Sequence, residues 1–175
     1  MSSISAFRGA IRSGVQRQHK WEVQINFPAY AGSNDTVRQA SLLARTTALP
    51  ESTLGVMDVN WGGRTLPLPG DRTYGEFSIN FIGVNDNNVY FAFQRWSEAI
   101  NGSDSNSGLT ALDDFMRDVQ LQLKDMGDAT TMTYILRDAW PTVVSGVELD
   151  SGALDSYTDF TVTFRYVNYS NDVSR

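Results

Sequence analysis

The 175 residues include 14 basic and 20 acidic side chains, one histidine and no cysteine, which excludes disulfides, thiolate metal sites and a cysteine nucleophile. At 41% hydrophobic the chain can fill one packed core, and none of its apolar runs reaches the roughly 20 residues of a membrane-spanning helix. Residues 1–20 carry Arg8, Arg12, Arg17 and Lys20 and no acid; a basic arm (1–20) thus precedes an acidic body (21–175), which would repel nucleic acid rather than bind it. A basic, serine-containing start fits an organelle-targeting pattern, but its plainer reading is an arm that docks on an acidic neighbour.

Ile4, Phe7 and Ile11 recur at helical spacing and predict a short amphipathic helix ending at Gly14. From Trp21 the period becomes two: Trp21, Val23, Ile25 and Phe27 alternate with polar residues up to Pro28, the pattern of a half-buried strand. After the loop at 29–36, strands are expected over Val37 to Thr47 and Thr53 to Trp61, with "ALPES" as the corner between them. The Gly- and Pro-rich Gly62–Arg72 stretch reads as an exposed arm or loop, since prolines cannot donate to a central strand.

Phe77, Ile79 and Phe81 restore strand alternation. Asp86 and Asn87 then supply a cap for a helix over about residues 87–100, striped by Val89, Phe93, Trp96 and Ile100. A Ser/Gly/Asn loop follows, containing a formal Asn101-Gly-Ser glycosylation acceptor, and "LTALDDF" supplies a helical turn. Val119, Leu121 and Leu123, then Met132, Tyr134 and Leu136, flank the "DMGDAT" turn as a hairpin ending at Trp140-Pro141. Phe160, Val162, Phe164 and Tyr166 mark the last strand.

Catalytic constellations are missing from this pattern. His19 stands alone in the basic arm, Asp113-Asp114, Asp125 and Asp128 read as solvated turns, and the glycines form no phosphate-binding motif. Trp21, Trp61, Trp96 and Trp140 read as core anchors, with carbohydrate stacking as the sharper alternative. No catalytic, cofactor or metal residue is assigned. About seven strands with one substantial helix define a mainly β protein, a sandwich or barrel-like fold with one packed helix. Its unpaired edges call for other copies of the chain.

The ordered series "TTALP" (46–50), "GDRTYGEF" (70–77), "WPTVVSGVELD" (140–150) and "DFTVTFRY" (159–166) resembles the tail tube proteins of contractile-tailed bacteriophages over about residues 20–169. The resemblance implies a subunit of stacked hexameric rings whose strands join a ring-wide β-barrel. Such a tube is wrapped by a sheath, ends at baseplate and tail-terminator proteins, and passes double-stranded DNA without sequence preference. It implies a place in the virion tail after assembly in the host bacterial cytoplasm. Related inner tubes, with their initiators and terminators, belong to injection systems that carry proteins, and this is the alternative reading. On this basis Leu49, Pro50, Arg64, Pro67, Pro69, Asp71, Arg72, Trp140 and Pro141 are candidates for subunit and ring interfaces, and Asp118, Gln120 and Gln122 for the lumen.

Overall fold

The computed structural model describes residues 3–12 and 14–172. Helix α1 (Ile4–Ala10) is capped by Ser3, whose hydroxyl accepts the Ala6 N–H at 3.3 Å, and it buries none of its residues. Strand β1 (Trp21–Ile25) has the expected alternation, with Val23 and Ile25 fully buried.

The next segment departs from the strand expected over Val37 to Thr47. Helix α2 (Asn34–Leu43) forms there, and only β2 (Ala44–Thr47) is extended. The local sequence favours this outcome: Ser33 and Thr36 form the start of a capping box, the Ser33 N–H donating to Thr36 Oγ1 at 3.3 Å, and Asp35 lies in the first turn. Thr36 and Ala40, four apart, are the residues α2 buries.

Strands β3 (Ser52–Trp61) and β4 (Arg64–Tyr74) pair only with each other, as an antiparallel ribbon. Gly62-Gly63 turns the chain with φ of 59° and 77°, the positive pair required by a two-residue hairpin turn. The stretch expected to be non-sheet is therefore an exposed arm, as anticipated, but a hydrogen-bonded one. A strand with a single partner needs N–H groups along one edge only, and Pro67 and Pro69, two apart, share an edge.

Strand β5 (Phe77–Ile82), helix α3 (Asn88–Ile100) and the turn α4 (Leu112–Phe115) follow the expected order. Asp86 Oδ1 accepts the Asn88 N–H at 3.3 Å, while Asn87 is the N-cap with φ 49°. Strands β6 (Arg117–Lys124) and β7 (Thr130–Val144) make the expected hairpin. Its turn is fixed by Asp125 Oδ1, which accepts the N–H groups of Gly127 at 2.7 Å and Ala129 at 2.9 Å. However, β7 does not end at Trp140-Pro141. It turns at Asp138, where φ is 54°, and continues to Val144 with a register shift after Pro141, where the missing donor is tolerated. Strand β8 (Asp159–Arg165) is as expected, and β9 (Asn168–Asn171), which the sequence pattern does not reveal, pairs with the first half of β7.

The strand order is β1-β6-β7-β8-β5-β2, and β7 is shared between two layers. The first comprises β1, β6, β9 and the start of β7; the second comprises the end of β7, β8, β5 and β2. The path does not close, so β1 and β2 are its ends. Between the layers lies one core, where Val23, Ile25, Val119 and Leu121 meet Phe77, Phe81, Val162 and Phe164. Helix α3 adds Phe93 and Trp96, with the Trp96 indole N–H donating to the Phe115 carbonyl at 2.8 Å.

Candidate functional site and assembly surfaces

The ribbon has no core beneath it. Residues two apart on a strand share a face, and directly opposed residues share it too. With Met57 opposite Leu68, Val59 opposite Leu66 and Trp61 opposite Arg64, one face carries Met57, Val59, Trp61, Leu66 and Leu68. All five are exposed, Trp61 by 86%. The other face holds Asp58, Asn60 and Thr65, with Thr65 Oγ1 donating to Asn60 Oδ1 at 2.8 Å, together with Pro67, Pro69 and the exposed Val56 opposite Pro69. One face of the ribbon is therefore continuously apolar and the other mixed, and its own subunit offers the apolar face nothing to cover.

Its root, by contrast, is firmly held. Gly75 N–H donates to the Glu51 carbonyl at 3.2 Å, Arg72 Nη1 to Ser52 Oγ at 2.8 Å, and Ser52 Oγ lies 3.2 Å from Tyr169 Oη. Tyr74, Tyr166 and Tyr169 pack ring to ring, with Tyr74 5.9 Å and 5.5 Å from the other two centroids. Burial among these rings pushes the Tyr166 phenol up to about 12.

The interface candidates separate by position. Arg64, Pro67, Pro69, Asp71 and Arg72 lie on the ribbon and are exposed, and Leu49 at its approach is 46% exposed. Pro50 and Pro141 are buried and Trp140 is half-buried against the core, so these three shape the subunit from inside. Among the tryptophans, Trp96 is fully buried and Trp21 and Trp140 pack on the core, whereas Trp61 is at the ribbon tip rather than in the core.

Two wet sheet faces exist. The first layer presents Asp118, Gln120 and Gln122 beside Gln24 and Glu22 of β1. Its charges are paired: Arg137 Nη1 donates to Asp118 Oδ2 at 2.5 Å, and Lys124 to Glu22. The Lys124 hydrogen bond holds the Glu22 carboxyl below its ordinary range, and Lys20, 2.6 Å from Asp128, does the same there. The second layer presents Ser78, Asn80, Thr161 and Thr163, hydroxyl and amide groups joined to one another, with Ser78 Oγ 2.9 Å from Thr163 Oγ1 and Asn80 Nδ2 donating to Thr161 Oγ1 at 3.3 Å. Arg45–Asp159 and Arg165–Glu76 pairs stand at its margins.

A concavity between the 29–33 loop, α2 and α3 is lined by Asp35, Gln39, Arg95 and Arg117 among others. Both arginines serve backbone carbonyls: Arg95 Nε donates to Ala31 at 3.1 Å and Arg117 Nη1 to Met116 at 2.8 Å. Among the described residues no cluster of three His, Asp or Glu is placed to hold a metal, and no helix is long and apolar enough to cross a membrane.

The fold is a mainly β subunit that carries an apolar ribbon face outside its own core. The phage tail tube protein family matches residues 16–172, and the chain belongs to that family. It is 46% identical over 177 residues, all of both chains, to the tail tube protein of Serratia phage KSP90. As a member of a structural family it is not an enzyme. Its fold is also similar to that of a chain in the anti-feeding prophage baseplate, at TM-score 0.66 and 18% identity, covering 90% of this chain and 95% of that one. A chain in the extended sheath-tube complex of the extracellular contractile injection system PVC gives TM-score 0.65 at 12% identity, over 98% and 99%.

Proposed function

We propose that this chain builds the inner tube of a contractile phage tail, closing into six-membered rings that stack and pass double-stranded DNA. A sheath surrounds the tube, which ends at baseplate and terminator proteins and is assembled in the host bacterial cytoplasm before release in the virion. The observation that carries this reading is the apolar ribbon face, which water would leave costly and a neighbouring subunit would cover. Leu49, Arg64, Asp71 and Arg72 contact that neighbour, and Pro50, Trp140 and Pro141 hold the corners that aim the ribbon. The full-length likeness to a phage tail tube protein favours DNA over a protein cargo.

The lumen is a wet sheet face. The second layer's Ser78, Asn80, Thr161 and Thr163 are the better-supported choice, because the ribbon follows edge strand β2 of that layer and a sheet continued through it would carry this face around the ring. The Asp118, Gln120 and Gln122 face is the other choice, favoured by charges already paired within the subunit. Either avoids a row of free cations that would hold a passing duplex.

Electron microscopy of the purified chain tests the assembly: rings or tubes of one diameter are expected. A variant with residues 56–69 replaced by a short turn should lose stacking. A parent chain that stays monomeric at high concentration under several salts overturns the reading.

A further inference from the structure

Two stretches of the surface expose side chains that match each other: the N-terminal arm, and the 145–158 segment, which Val147 anchors on the core and Arg45 contacts over the Tyr157 ring. The arm exposes Ile4 by 80%, Phe7 by 63% and Val15 by 67%. Among the described residues, its Arg8, Arg12 and Arg17 enter none of the ion pairs. The 145–158 segment joining β7 to β8 contains no Lys or Arg. It exposes Leu149 by 82% and Leu154 by 90%, and its Glu148, Asp150 and Asp155 are likewise outside those pairs. The arm's three arginines outside ion pairs, with its apolar residues, are complementary to three acids outside ion pairs, with theirs, Asp150 also accepting the Gly152 N–H at 2.8 Å; such complementarity steers and registers an interface.

The contact is not made within one subunit. Gln16 Nε2 donates to the Lys124 carbonyl at 2.9 Å and Lys20 pairs with Asp128, which ties the arm's root to the β6–β7 hairpin. Beyond that root, α1 buries nothing. We propose that in the assembled tube the N-terminal arm of one subunit lies across the 145–158 segment of a second copy. Its Ile4 and Phe7 cover Leu149 and Leu154 while its arginines meet Glu148, Asp150 and Asp155. This rests on the tube reading above. Binding of DNA would use the arginines and leave the apolar residues in water. An anionic membrane would use both but leave the acidic segment uncovered.

Because the chain has no cysteine of its own, introduced ones report alone. Phe7→Cys and Leu154→Cys chains, one carrying a mass tag, are mixed, assembled and oxidised. The expected product is a disulfide dimer containing one of each, formed in tubes and not in dilute subunits. Separately, Arg8→Glu with Arg12→Glu should raise the critical concentration for assembly about tenfold, near the upper half of what a few exposed charges contribute. Glu148→Lys with Asp150→Lys should do the same, and the four changes together in one chain should restore assembly. Tubes that form without the mixed disulfide, or a fourfold variant as weak as either pair, overturn the proposal. So does retention of the arm by anionic vesicles or duplex DNA, lost with Arg8→Glu and Arg12→Glu, when the mixed disulfide is absent. A parent chain that forms no tubes at all overturns the tube reading instead, and electron microscopy of the same samples tells the two failures apart.

Discussion

Trp61→Ala isolates the energetic role of the ribbon. A tryptophan side chain buries roughly 200 Å² when covered; at 86% exposure about 170 Å² remains available, which at about 25 cal/mol per Å² is worth about 4 kcal/mol. That is a ceiling, because ordering the side chain and imperfect covering subtract from it. A buried aromatic anchor typically retains about 2 kcal/mol or more, so the critical concentration for tube formation should rise about 30-fold to 1,000-fold. The subunit itself should be unaffected, since Trp61 is outside the core and pairs only with Arg64 across the ribbon. Sedimentation of the assembled fraction against concentration measures the first quantity, and thermal melting of the dilute subunit the second. A critical concentration within threefold of the parent would show that no neighbour covers Trp61. An equal fall in subunit melting temperature would place its role inside the subunit.

Two other outcomes follow from the surfaces described. Thr161→Lys with Thr163→Lys should leave tubes intact and slow DNA ejection most at low salt, where screening is weakest; Asp118→Lys with Gln120→Lys should have less effect, and the opposite ranking would move the lumen to the first layer. The raised Tyr166 phenol contributes stability that is complete below about pH 10, the unfolded value, and is lost as pH rises toward about 12. Tyr166→Phe should flatten that alkaline loss in denaturant titrations, and an unchanged pH profile would refute the assignment.

The strands facing one core were legible because alternation at period two survives wherever one side is buried: β1, β5, β6 and β8 all lie where Trp21, Phe77, Val119 and Phe160 begin their patterns. Helix α2 was misread although Thr36, Val37, Ala40 and Leu43 turn toward the core at helical spacing; that short stripe and the Ser33–Thr36 cap were the available signals. Prolines misled twice, at Pro67 and Pro69 in the ribbon and at Pro141 in β7, because a strand with a spare edge or a bulge tolerates a missing donor. The exposure of Trp61 was not legible at all. An aromatic in an alternating run announces a face, and only the topology reveals that this face belongs to a strand pair with no layer behind it.

The shared strand β7 carries a mechanical consequence. Because residues 130–144 belong to both layers, a load applied to one layer reaches the other along covalent bonds as well as through side-chain packing. Sliding one layer over the other would require the chain to straighten at Asp138, where φ is 54°, and to break β7's ladders with β6 and β8 together. Packed layers without such a strand can shear by repacking side chains alone. Here the soft mode is flexing at the bend, which changes the angle between the layers and leaves both ladders whole, so the subunit should yield to stress by hinging before it slips.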